Sequence, residues 1–162
     1  MVDTIQVSTA SNISRYPSHV ATDLLSRLRA RHWRLSPQRR VLAEVFVGDH
    51  VHLTAEEVHT LAREHLPEIS RATVYNTLNE LAAMGELLEV VVVDGPKRYD
   101  PNIGDEHDHL VCDSCHAIRD VRRLRKRSTI PEGAPAGYVV TGVEITYRGL
   151  CPNCTERRRR NR

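Results

Sequence analysis

The four cysteines of the chain fall in two Cys-x-x-Cys pairs, Cys112 with Cys115 and Cys151 with Cys154. Each pair places two sulfurs on one tight knuckle. Two such knuckles brought together make a tetrahedral four-thiolate zinc site. A redox dithiol or inert thiols are the alternatives. A thioredoxin-like pair would open a helix after a strand, and Cys112 does not sit in that pattern. Residues Met1 to Tyr16 lack the basic and then apolar segments of a secretory signal, so the chain is expected in the cytoplasm. A reducing cytoplasm disfavours structural disulfides.

A second set of residues offers nitrogen and oxygen donors. His107 and His109 alternate onto the same side of an extended segment just ahead of Cys112. Asp100 precedes them, Asp120 follows Cys115, and His52 lies well upstream. Singly, each is more often a surface residue than a ligand. Together they are three imidazoles and two carboxylates from both halves of the chain. A donor set without sulfur suits Fe(II) or Mn(II), though zinc would bind too. Ligands drawn from both halves would clamp their relative orientation.

The elements that must position these groups are legible in outline. Apolar Leu24, Leu25 and Leu28 recur at helical spacing within 21–32. Ser36-Pro37 is a helix start, and the helix it opens should stop near Gly48. Thr54 to Glu57 is a capping box, followed by a stripe of Val58, Leu61, Ala62 and Leu66 that ends at Pro67. Ser70 caps the next helix, whose inner face is Val74, Leu78 and Leu81 and whose C-terminal cap is Gly85. Residues 87–93 read as a strand, Asp94-Gly95 as a turn and 97–99 as a short returning strand. Helices closed by a hairpin are the order of a helix-turn-helix with a β wing. After 101–104, strands are expected near 110–111, 117–121 and 138–150, with a loop over 129–137.

On the helix after Ser70, Ala72, Asn76, Asn79 and Ala83 face away from the core, flanked by Thr73 and Tyr75. Small and amide side chains suit the major groove, where Asn reads adenine. Arg71 sits in the first turn, where a cation makes sense beside a phosphate. Arg34, Arg39 and Arg40 add phosphate contacts, and Lys97-Arg98 could arm the wing. Ordinary exposed packing positions are the competing explanation. The Arg-rich runs 122–127 and 157–160 read as solvated, the latter as a frayed tail.

With 162 residues, 40% hydrophobic and 27% charged, the chain is globular and not disordered. Its longest apolar run, Val90 to Val93, cannot span a bilayer. The net charge of +2 does not by itself identify a polyanion partner. Aromatics make up only 4%, so a small C-terminal half gains most from a zinc staple.

The residues Leu35 to Arg40, His52 to Val58, Ser70 to Leu78, Arg98 to Asp100, His107 to Cys115 and Cys151 to Cys154 resemble the Fur family of metal-dependent repressors. The resemblance covers roughly residues 20–155. It implies an α+β homodimer, with an N-terminal winged helix-turn-helix domain and a small α/β dimerisation domain holding a structural zinc. The expected organisation is a polar arm over 1–20, a DNA-binding domain over 21–100, a hinge over 101–104, and a dimerisation and metal-binding domain with a basic tail over 105–162. The resemblance also implies structural zinc on Cys112, Cys115, Cys151 and Cys154. It places a regulatory metal at His52, Asp100, His107, His109 and Asp120, with a palindromic operator as partner.

Aspartate at both 100 and 120, where iron-uptake regulators usually carry Glu, is similar to the peroxide-sensing, PerR-type branch. In that branch Fe(II) and hydrogen peroxide oxidise a ligand imidazole, and His52 and His107 match the oxidised positions. DNA is then released from operators of catalase-type defence genes. The alternatives are an iron- or zinc-uptake regulator of the same family and, in another class, a thiol–disulfide or zinc enzyme. Val143 stands where many members carry a His of a further metal site, so no such site is expected. The family's helix after the second strand is blurred by 128–137.

Overall fold

The computed structural model describes residues 23–48, 51–92, 95–104, 106–123, 133, 135–139 and 143–161. The polar arm, most of the expected 129–137 loop and residues 124–127 of the first basic run lie outside these residues.

Each N-terminal helix begins at a side-chain cap. The Asp23 carboxylate accepts from Leu25 N–H at the start of α1 (Leu24–Ala30). The Ser36 hydroxyl accepts from Arg39 N–H at the start of α2 (Pro37–Glu44), with Pro37 in the first turn. The Thr54–Glu57 box closes both ways ahead of α3 (Ala55–His65): Glu57 N–H donates to Thr54 Oγ1 at 3.1 Å and Thr54 N–H to Glu57 Oε2 at 2.7 Å. Ser70 caps α4 (Arg71–Ala83). Gly85 then takes φ +72°, a conformation that costs a residue with a Cβ more than glycine. Each such cap contributes roughly 1 kcal/mol.

Two three-stranded sheets follow. In the first, β3 (Arg98–Asp100) lies between β1 (Leu53–Thr54) and β2 (Leu88–Val90), antiparallel to both. The two-residue β1, too short to carry a periodic signal, turns the expected hairpin into a sheet tied to the start of α3. In the second, β4 (His107–Cys112) is central, antiparallel to β5 (Ile118–Arg122) and parallel to β6 (Thr146–Gly149). The helix α5 (Pro152–Arg160) closes the chain.

The main core joins α1 to α4 and the wing. Leu28, Leu42, Val58, Val74, Leu78 and Leu81 are fully buried, with Phe46, Leu87 and Tyr99 beside them. Among the described residues the second core is Val90, Val92, Val111 and Ile118, which packs the wing's β2 side onto β4 and β5. Among the described residues no helix is long and apolar enough to cross a membrane.

Several expectations are corrected. Leu61 is 36% exposed and leaves the buried stripe, while His59 turns inward and places Nε2 3.1 Å from the Ile69 carbonyl oxygen. The helix opened by Ser36 stops at Glu44, before Gly48. Among the described residues of the expected strand over 138–150, only Thr146–Gly149 forms strand, paired with His109 to Cys112 of β4. Residues 157–160 are the last turns of α5 and not a frayed tail. Their cationic side chains suit the negative end of the helix dipole. Within the 122–127 run, Arg123 is not solvated: its Nε donates to the buried Asp108 carboxylate at 2.9 Å.

Candidate metal centres and DNA-reading face

The cysteine knuckles meet because β4 and β6 run parallel. The pairing of Cys112 with Gly149 sets Cys151 beside Cys112. His116 takes φ +56° so that its N–H donates to the Cys112 carbonyl at 2.9 Å and the first knuckle closes. All four sulfurs lie within 4.8 Å of one another, and Cys115 Sγ is 3.8 Å from Cys151 Sγ. A tetrahedron with Zn–S bonds of about 2.3 Å has edges of about 3.8 Å, so the spacing fits that ion.

Burial would raise the Cys112 pKa, yet backbone N–H groups of Cys151, Cys115 and Ser114 bring it down to about 6. Burial, then the surrounding sulfurs, push Cys115 up to about 12. A cation is what would let all four ionise together.

The imidazole–carboxylate cluster lies where the two sheets meet. Pairing of Leu53 with Tyr99 sets His52 beside Asp100, and pairing of His109 with Asp120 sets those two on one face. Ligand atoms of His52, Asp100, His109 and Asp120 lie within 4.8 Å of one another. His107 borders the same point, its Nε2 2.9 Å from Asp100 Oδ2 and 3.2 Å from His109 Nε2. The Nε2 atoms of His109 and His52 stand 3.4 and 3.5 Å from that same oxygen, and His52 Nε2 is 2.9 Å from Asp120 Oδ1.

Three imidazole nitrogens thus face one carboxylate oxygen in a buried pocket. The donor set, all nitrogen and oxygen, fits a first-row divalent cation. Burial would lower the His52 pKa, but hydrogen bonds to Asp100 and Asp120 raise it to about 9. Burial would raise that of Asp100, but His107, His109 and His52 hold it well below the usual carboxylate range.

Between the flanking histidines, Asp108 points to the opposite face and is buried against Arg123. Arg123 also donates to the carbonyls of His107 and Val143, both at 3.2 Å. A guanidinium therefore stands beside Val143, on Asp108.

The outer face of α4 presents Tyr75 and Asn76 to solvent, with Ala72, Asn79 and Ala83. Thr73 is half-buried, its Oγ1 2.9 Å from Ser70 Oγ. Arg34 and Arg40 are exposed. The other basic residues are engaged. Arg71 Nε donates to Glu56 at 2.9 Å, Arg39 pairs with Glu80 over the Trp33 ring, and Lys97 pairs with Glu89. Arg98 is spent on Glu57 and the His52 carbonyl and does not arm the wing tip. Two linking residues escaped the sequence reading. Asn102 donates to both Asp100 and Asp120. Arg27 donates to the carbonyls of Glu86 and Pro101. Neither lies in a motif or a periodic stripe.

A sequence profile of the ferric uptake regulator family matches residues 30–147. Transcriptional regulator FurA of Mycobacterium tuberculosis is 31% identical over 134 residues, covering 82% of this chain and 90% of that protein. The peroxide-responsive repressor PerR of Staphylococcus aureus is 27% identical over 147 residues, covering 86% and 94%. Among solved structures, the Campylobacter jejuni peroxide stress regulator superposes with a TM-score of 0.58 at 26% identity, covering 81% of this chain and 98% of that one.

Proposed function

This chain belongs to the ferric uptake regulator family of metal-responsive transcriptional regulators, and on that premise we propose that it is a peroxide-sensing repressor gated at the His–Asp cluster. One observation carries the reading: His52, Asp100, His109 and Asp120 converge from two sheets on one buried point, with His107 at its edge. His52 and Asp100 belong to the helical lobe and its wing, and the other three to the second sheet. A cation held by all five ties the lobe bearing α4 to that sheet.

We assign structural zinc to Cys112, Cys115, Cys151 and Cys154, in a cytoplasmic setting that keeps the thiols reduced. The chain acts as a homodimer on a palindromic duplex operator. Leu110 and Tyr147, paired across β4 and β6 and both exposed, supply apolar surface for a second copy. Arg34, Arg71, Thr73, Tyr75 and Asn76 form the DNA-contacting set. Asn76 reads a base edge and Arg71, released from Glu56, meets a phosphate.

The regulatory ion is Fe(II) in the responsive state and Mn(II) in the insensitive one. Fe(II) held by His52, Asp100, His107, His109 and Asp120 would supply reducing equivalents for cleavage of hydrogen peroxide beside the imidazoles. Oxidation of His52 or His107 then takes a donor from the clamp. Loss of the clamp frees the orientation of α4 and releases DNA.

The test loads zinc-replete protein with Fe(II) or Mn(II), adds peroxide, and follows duplex release together with peptide masses. One added oxygen atom on the peptide bearing His52 or His107, with Fe(II) only, is expected. Release accompanied by zinc loss and no added oxygen would refute the imidazole mechanism. The family name and the 32% identity to the ferric uptake regulation protein of Synechococcus elongatus favour a second reading, a metal-uptake regulator. Such a protein keeps its DNA under peroxide while metal is present.

A further inference from the structure

Asn102 contacts both candidate aspartate ligands, and does so on particular atoms. Its backbone N–H donates to Asp100 Oδ1 at 2.8 Å. Its side-chain Nδ2 donates to Asp120 Oδ2 at 3.0 Å. The opposite oxygen of each carboxylate is the one that faces the imidazoles. Asp100 Oδ2 lies 2.9, 3.4 and 3.5 Å from Nε2 of His107, His109 and His52. Asp120 Oδ1 lies 2.9 Å from Nε2 of His52. Each carboxylate is therefore split, with one oxygen bonded to Asn102 and one presented to the cluster.

We propose that Asn102 is a positioning residue that makes both aspartates bind the regulatory ion through a single oxygen and so leaves one coordination position open. The inference rests on the reading of the His–Asp cluster as a metal site. Three imidazoles and two one-oxygen carboxylates provide five donors. Fe(II) and Mn(II) commonly accept six, so one place remains for a small ligand such as hydrogen peroxide. Without the Asn102 amide, Asp120 is free to turn and bind through both oxygens, which fills that place.

The amide is itself held firmly. The adjoining Pro101 carbonyl accepts from Arg27 Nη2 at 2.9 Å, and Arg27 Nε donates to the buried Glu86 at 2.8 Å. Glu86 lies three residues past the end of α4 and also pairs with Arg31 at 2.9 Å. The expected hinge 101–104 is thus bonded on one side to the ligand carboxylates and on the other to Arg27 of α1. Outer-shell partners of ligands commonly set metal affinity by 10–100-fold.

Co(II) is the probe, added to the full-length, zinc-loaded protein, because the intensity of its visible ligand-field bands falls as coordination rises from five to six. The wild type is expected to take one Co(II) beyond zinc with the stronger five-coordinate spectrum. Asn102→Ala is expected to bind Co(II) 10–100-fold more weakly, with band intensity several-fold lower. Asn102→Leu keeps a side chain of similar size that can neither donate nor carry charge, and should behave alike. Far-UV circular dichroism and zinc content report whether each variant is folded. If both folded variants keep the wild-type spectrum, whatever their affinity, Asn102 does not set the coordination mode and the inference falls. A six-coordinate spectrum in the wild type overturns it too. A wild type that takes no Co(II) beyond zinc instead sinks the metal-site reading itself.

Discussion

Protein with zinc bound but no regulatory metal should lose stability between pH 7 and pH 9, while its affinity for that metal rises over the same interval. The cause is His52. Its side chain is 2% exposed and its Nε2 stands 2.9 Å from Asp120 Oδ1. Burial works against the charged ring, but hydrogen bonds and charge attraction from Asp100 and Asp120 prevail and raise its pKa to about 9. A raised histidine pKa contributes stability that is complete below the unfolded value of about 6.5 and vanishes as pH rises through the folded value. A gap of about 2.5 units at 1.36 kcal/mol each is about 3 kcal/mol, most of it still present at pH 7. Asp100 is held well below the usual carboxylate range, so its contribution is lost only in acid and adds no slope here.

Metal needs the neutral ring, so at pH 7 binding must expel about one proton, and affinity should rise about tenfold per pH unit up to about pH 9. Urea unfolding of the zinc-loaded protein at pH 7, 8 and 9 reads the first effect, with a fall of about 2 kcal/mol expected. Mn(II) calorimetry at pH 7 in two buffers of different ionisation heat reads the second. Stability that stays flat across this range, together with no proton released on binding, would refute the reasoning.

Other perturbations separate the lobes. Cys151→Ser should abolish zinc binding and melt β6 and α5, while α1 to α4 persist, because among the described residues their core draws none from beyond Tyr99. Zinc content and resolved NMR amide signals check this, and loss of the α1–α4 signals as well would contradict it. Glu86→Gln leaves Arg27 and Arg31 without their buried counter-charge and should cost about 3 kcal/mol in urea unfolding. A loss below about 1 kcal/mol would mean that solvent already balances those arginines. Arg71→Ala breaks an exposed pair with Glu56, so the urea midpoint should stay that of the wild type. Binding to duplex DNA should weaken evenly across sequences, its logarithmic salt slope falling by about 1. An unchanged slope would remove Arg71 from the interface.

Local chemistry made much of this protein legible from its residues. The Ser36, Thr54 and Ser70 caps, the buried Val74, Leu78 and Leu81 face, and Gly85 all obey rules that act within one or two turns. The paired cysteines and the alternation of His107 and His109 are equally local, and they placed both candidate metal centres. The tertiary structure decided whatever depends on a partner remote in the chain. Arg71, Arg39, Lys97 and Arg98 look like free cations until Glu56, Glu80, Glu89 and Glu57 are brought beside them. The two-residue β1 exists only because β3 supplies its hydrogen bonds. Asn102 and Arg27 have no signature because their role is to join carboxylates and carbonyls that meet only when two sheets and a helix converge. Spacing along a chain determines which donors share a face; which of their atoms face an ion is determined by packing between elements.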